Sequence, residues 1–187
     1  MKDLGLYEGT LFIVTSDHGE DLGEHGGQGS SHPEEFCHGW LIYDSTQKVP
    51  LIFRLPKSFR EVYPQYCLEN KGIQNQVRLI DIMPTVLDVL GLGQDIFTRI
   101  EGVSLVPFMR GETERKLVAV CQNFYPMEVV EEIQKDKKEG LFNLEAIRWD
   151  NKWKHIYSID ERGDPVEGVR ELYDLVNDPK EQVNLVD

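Results

Sequence analysis

The sequence predicts an α/β protein, with a mostly parallel sheet flanked by helices over residues 1–111 and a small antiparallel α+β subdomain over residues 112–187. Three observations carry this. Leu11 to Val14 is an unbroken apolar run, which suits a strand covered on both faces, as in parallel sheets packed between helices. Asp81 to Leu90 carries helix punctuation at both ends. Ala146 to Trp149 and Lys152 to Ile159 flank Asp150-Asn151, a turn pair that joins antiparallel strands.

Taken in order, Met1 to Thr10 reads as the last turn of a helix closed near Gly5, and such a start leads us to expect sequence upstream. The apolar run ends at Thr15-Ser16-Asp17. Glycine and polar residues dominate from His18 to Cys37, a long loop of the kind that usually carries function. Val49 to Leu55 is the second strand, with Pro50 near its start, where a missing amide is tolerated. In the helix, Asp81 is the N-cap, Pro84 sits in the first turn, Ile80, Met83, Leu87 and Leu90 form the apolar stripe, and Gly91 supplies the stop. That stripe is expected to pack on the sheet.

Glu112 to Lys116 marks the boundary, followed by a third apolar strand, Leu117 to Val120. Pro126 to Lys138 reads as an exposed, charged helix whose Glu–Lys pairs face solvent. Trp149, Trp153 and Tyr157 are assigned to packing of the hairpin against a C-terminal helix. Glu171 to Leu175 is an edge strand running into a turn at Asn177-Asp178-Pro179.

The chain has 187 residues, is 40% hydrophobic and carries a formal net charge of −13. It has the apolar material for a core. Its acidity repels phosphate backbones and anionic headgroups, which argues against nucleic-acid and membrane-surface roles. No apolar run approaches a membrane span, and the N-terminus lacks the basic-then-apolar order of a signal peptide, so nothing in the chain assigns a compartment. Cys37, Cys67 and Cys121 have no repeated spacing and read as free thiols.

The chemistry concentrates in Thr15-Ser-Asp-His-Gly-Glu-Asp-Leu-Gly-Glu-His-Gly26, where an acid and an imidazole stand at the end of a buried strand. In open α/β sheets, ligands collect beyond the carboxyl ends of strands. Neighbours on a regular strand point oppositely, so Asp17 and His18 can share one ion only if the chain has already turned, which Gly19 permits. A carboxylate and a neutral imidazole suit a divalent cation. Four of the five histidines fall between His18 and His38. Glycine-rich intervals argue against reading His25, His32, Cys37 and His38 as a zinc site.

Ser16-Asp-His-Gly-Glu-Asp-Leu-Gly-Glu-His-Gly26 and Cys37-His-Gly-Trp-Leu-Ile-Tyr-Asp-Ser-Thr-Gln-Lys-Val-Pro-Leu51 resemble the C-terminal half of the catalytic domain of type I sulfatases, in the alkaline phosphatase superfamily. Asp81-Ile-Met-Pro-Thr85 with Gly91, Glu101-Gly-Val-Ser-Leu105 with Gly111, and Leu172-Tyr-Asp-Leu175 with Asp178-Pro179, Glu181 and Asn184-Leu185 continue the likeness. Ordered matches run from Leu4 to Leu185. The resemblance implies an alkaline-phosphatase-like sheet. It also implies that Asp17 and His18 are two ligands of one divalent metal, usually calcium. His38 falls where the family places a Lys or His that contacts the sulfate and assists the leaving oxygen. His25 is a candidate for a supporting contact. Asp81, Pro84 and Asp178 are read as capping and turn residues without catalytic roles.

The chain departs from that pattern in one respect. Type I sulfatases attack with a formylglycine made in a Cys-x-Pro-x-Arg motif, and their first strand supplies paired aspartates as further ligands. Neither is encoded here, and none of the three cysteines has that context. The resemblance therefore implies the back portion of a sulfuric ester hydrolase, inactive alone, whose sulfate-ester site is completed by a complementary N-terminal half. A phosphonate or phosphodiester hydrolase of the same superfamily, and a non-catalytic metal-binding or docking module, stand as the competing readings.

Overall fold

The computed structural model describes residues 1–25, 42–64, 72–92, 100–111, 114–124 and 143–186. The charged helix expected over 126–138, Cys37, Cys67 and the boundary residues 112–113 lie outside them. The described chain divides into two compact units that interleave in sequence: residues 1–15 with 50–117, and residues 16–49 with 118–187.

In the first unit, strand β1 (Phe12–Thr15) pairs with β2 (Leu51–Arg54). The pairing is antiparallel, Phe12 opposite Arg54 and Thr15 opposite Leu51. This corrects the expected parallel sheet, since both sheets among the described residues are antiparallel. The apolar run of β1 predicts a strand covered on both faces, yet Val14 and the opposing Ile52 are 56% and 58% exposed. Hydrophobicity reports how much a strand can bury; it carries no information on the direction of its partner. At the N-terminus, the Gly5 amide donates to the Lys2 carbonyl and the Leu6 amide to the Met1 carbonyl, with Gly5 at φ +67°. These are the bonds of a helix-ending turn, as the sequence predicts.

The core of this unit gathers Leu55, Val89, Leu105, Val106, Phe108, Met109 and Leu117, with Leu51 and Phe53 of β2 packed against it. Two short helices, α2 (Lys57–Val62) and α4 (Val106–Met109), were not foreseen. Helix α3 (Ile82–Val89) begins after Asp81 and stops at Gly91, φ +66°, both as expected. Its buried face is not the predicted stripe. Ile80, Met83 and Leu90 are exposed, and Pro84, Thr85 and Val89 turn inward.

Hydrogen bonds set that rotation. The Thr85 hydroxyl donates to the Asp81 carbonyl at 2.6 Å and accepts from the Leu105 amide at 2.9 Å. The Asp81 carboxylate, fully buried, accepts from the Arg78 amide and guanidinium and from the Val103 amide. Asp81 thus ties the helix to Arg78 and to the 102–105 turn instead of capping its own first turn. Gly102 lets that turn approach, because a Cβ there would meet the Ile80 carbonyl oxygen at 2.4 Å. Thr85→Val keeps the shape and strands the buried Leu105 amide. We expect a loss of about 1–3 kcal/mol, read as a lowered urea midpoint at unchanged slope.

The second unit holds a four-stranded antiparallel sheet in the order β3 (Ala119–Asn123), β4 (Asn143–Trp149), β5 (Trp153–Ile159), β6 (Pro165–Asp174). The predicted hairpin turn is present, with Asp150 and Asn151 both left-handed at φ 58° and 54°. One sheet face buries Ala146, Ile156 and Tyr173 against Ile42 and Leu175. Alternation puts Trp153 and Tyr157 on the other, half-buried face. There Trp149 lies opposite Trp153, and Tyr157 donates to the Glu145 carboxylate. Burial, and then Glu145, push the Tyr157 hydroxyl up to about 12.

β6 is an edge strand, as expected, and the tail shields it. The Leu185 amide donates to the Leu172 carbonyl, and the Asn184 side chain bridges the Leu172 amide and the Arg170 carbonyl. The single turn α1 (Asp44–Gln47) stands at the centre of this unit, with Thr46 buried. Cys121 is a free, half-buried thiol that contacts the Gln47 amide oxygen, and burial pushes its pKa up. No helix among the described residues is long and apolar enough to cross a membrane.

Candidate functional site

Immediately after β1 the backbone leaves the extended conformation, and Asp17 and His18 fall to the same side of the turn. Asp17 Oδ1 lies 3.9 Å from His18 Nε2, with the two side chains 87% and 47% exposed. The Ser16 hydroxyl donates to the His18 carbonyl, and the His18 amide to Asp17 Oδ1 at 3.0 Å. Hydrogen bonds from its own amide and from the His18 amide, with the nearby imidazole, lower the Asp17 pKa. His18 Nδ1 is 2.7 Å from the Gly19 carbonyl oxygen. A carbonyl only accepts, so Nδ1 carries the proton and Nε2 is the atom with a lone pair. Metal-bound histidines commonly have this arrangement, one nitrogen fixed by a carbonyl and the other turned to the ion.

Two donors on one divalent ion stand about 3–4.5 Å apart for bonds of about 2.1–2.4 Å, and the Asp17–His18 pair meets that test. It supplies part of a coordination sphere, since calcium takes about six to eight oxygens. Among the described residues no group of three or more His, Cys, Asp or Glu side chains is placed to hold an ion.

The turn is braced from behind. The Gly19 amide donates to the Thr46 carbonyl at 2.7 Å, and a Cβ on Gly19 would stand 2.2 Å from the Ser45 carbonyl oxygen. Two residues on, Asp21 is buried and accepts from the Gly23 amide, the Ser45 hydroxyl and His25. Burial opposes its ionisation, but the bonds from His25, Gly23 and Ser45 prevail and lower its pKa. His25 Nδ1 is 2.6 Å from Asp21 Oδ2, Nε2 is 3.0 Å from the Lys180 carbonyl oxygen, and the ring stacks on Tyr43 at 3.8 Å. Both of its nitrogens are thus engaged. His38, with His32, lies outside the described residues.

Sequence reasoning passed over the deepest part of this brace. Lys154 is 2% exposed, and its ammonium lies 2.8 Å from Glu181 and 3.2 Å from Asp44. Glu181 accepts the Asp44 amide at 2.5 Å, and Arg148 approaches Asp44 at 3.4 Å. Burial raises the Glu181 pKa although Lys154 acts against it. One signal was available. Lys154, Ile156 and Ser158 share the inward face of β5, and a lysine at an inward position needs a buried acid.

The Sulfatase family matches residues 1–92, and the ordered likeness continues beyond them. Arylsulfatase K of Xenopus laevis is 28% identical over 186 residues, covering 99% of this chain and 29% of that protein. The chain is similar to the sulfatases across nearly its whole length. N-acetylglucosamine-6-O-sulfatase of Bacteroides thetaiotaomicron is 27% identical over 196 residues, covering 99% of the chain and 28% of its own length. A solved structure described under the metabolism of multiple glycosaminoglycans by Bacteroides thetaiotaomicron has a TM-score of 0.61 at 24% identity, across 99% of this chain and 34% of that one. This likeness is one of fold. The chain spans less than a third of the length of these curated relatives.

Proposed function

We propose that this chain is the rear portion of a sulfuric ester hydrolase and that Asp17 and His18 supply two ligands to its divalent metal, calcium by family habit. The observation that carries the reading is the Asp17–His18 pair at 3.9 Å, with the His18 tautomer fixed by the Gly19 carbonyl. The ion, when bound, would supply positive charge for an anionic sulfate and for the charge that develops on the attacking group.

Asp17 contributes a charged oxygen and His18 a neutral nitrogen, and the brace behind Gly19 holds both in place before the ion arrives. His38 we assign to the leaving oxygen, where an imidazole can give a proton as the ester bond breaks. His25 supports the loop from the rear. The nucleophile comes from a Cys-x-Pro-x-Arg segment, which the 187 residues do not contain. The complementary N-terminal half and the sulfate-ester substrate are therefore part of the proposal.

The test uses the chain joined to an N-terminal segment carrying that motif, assayed on an aryl sulfate and an aryl phosphonate ester with calcium and after chelation. We expect calcium-dependent sulfate release that exceeds phosphonate hydrolysis, and a calcium affinity about tenfold weaker in Asp17→Asn, which has lost one charged ligand. Faster turnover of the phosphonate ester would instead assign the chain to the phosphonate hydrolases of the superfamily. Full activity of Asp17→Asn after chelation would remove the metal reading.

A further inference from the structure

The Asp17–His18 turn ends on Gly19, and what fixes Gly19 comes from two distant stretches of chain. Thr46 supplies the carbonyl that receives its amide, and the neighbouring Ser45 hydroxyl donates to Asp21 at 2.9 Å. Asp21 in turn meets His25, and His25 meets the Lys180 carbonyl, 155 residues further along.

Asp21 Oδ2 and the Lys180 carbonyl oxygen are both acceptors. The His25 ring reaches both, one nitrogen to each. The ring stacks on Tyr43 with an interplanar angle of 13°. The groups that face it are Asp21 from its own loop, Tyr43 with Glu171 behind its hydroxyl, and the Lys180 carbonyl from the tail.

The tail turn that presents this carbonyl is itself built. Asp178 accepts the Gln182 and Val183 amides at 2.8 Å each, and the Gln182 side chain donates to the Lys180 and Glu24 carbonyls. Glu181, between them, is fixed by Lys154 and the Asp44 amide.

We propose that His25 is a positioning residue, a strut between Asp21 and the Asp178–Gln182 turn that holds the Asp17–His18 pair in register. The sulfatase reading enters only in the use made of that pair. A hydrolase assay that failed would overturn that reading and leave the strut standing, because the test below uses the metal-free chain.

The 187-residue chain, labelled with nitrogen-15, is followed by amide hydrogen exchange at one fixed pH. We expect the Gly19 amide to exchange on the order of tenfold faster in His25→Gln than in the unaltered chain, while the Ile156 amide stays protected in both. Asp178→Asn, which loosens the turn that presents the Lys180 carbonyl, should speed Gly19 exchange in the same way and keeps the test open if His25→Gln does not fold. Gly19 protection in either variant equal to that of the unaltered chain overturns the proposal.

Discussion

Gly19→Ala is expected to dislodge the loop that presents Asp17 and His18 while leaving the four-stranded sheet folded. A Cβ at this position would stand 2.2 Å from the Ser45 carbonyl oxygen and 3.2 Å from the Thr46 Cα, all backbone atoms that no rotamer change can move. The clash is relieved only by separating the two segments, which breaks the 2.7 Å bond from the position-19 amide to Thr46. Overpacking of this kind costs about 1–3 kcal/mol. Its larger consequence is geometric, because displacing a reactive group by about 1 Å lowers turnover about a hundredfold. The checks are the loss of exchange protection at position 19 and, in the chain joined to its N-terminal half, the fall in sulfate release. Retained protection at that amide would show that the close approach to Ser45 is not needed.

Lys154→Met is expected to give the largest loss of stability. It leaves Glu181 and Asp44 buried without the ammonium that lies 2.8 and 3.2 Å from them, and breaking a buried pair on one side costs about 3–5 kcal/mol. Arg148, 3.4 Å from Asp44, offsets part of the charge on that residue. The measurement is urea denaturation followed by the fluorescence of Trp149 and Trp153 on the same sheet. Glu181→Gln added to Lys154→Met should recover part of the loss, and strict additivity of the two would mean the residues do not act as a pair. The acid side offers a second reading. Burial holds the folded pKa of Glu181 above 4.5, so the folded chain takes up this proton before the unfolded chain does. The penalty of the buried charge is thus present above the folded pKa and is relieved as pH falls through it toward 4.5.

These two residues show where reading the chain in one dimension succeeds and where it stops. Gly19 is legible in the sequence as the residue that permits the turn Asp17 and His18 need to share one ion, because glycine permits what other residues resist. That Ser45 and Thr46 crowd it from the far side of the loop could not be read, since no local pattern links position 19 to position 46. Lys154 broke the apolar alternation of β5, which announces a buried partner without naming it. The partner, Glu181, sits in the closing signature that marked the family resemblance, and only packing joins the two.

The same division runs through the fold. The helix over 82–89, its stop at Gly91, the turn at Asp150-Asn151 and the edge strand ending near Asp174 follow from short-range rules of capping and turn geometry, and all are present. The burial of Thr85 in place of Met83 was out of reach, because an acceptor for the Leu105 amide outweighs a modest gain in apolar area at that face. The direction of β2 was equally hidden.

Residue order therefore placed a carboxylate and an imidazole at the end of a strand and carried the resemblance to the sulfatases. The folded chain settled which atoms of those residues meet and what holds them, since hydrogen bonds and buried charges depend on separations in space between segments as remote as His25 and Lys180. Local rules act over a few residues. The brace behind the site is made from contacts that span most of the chain.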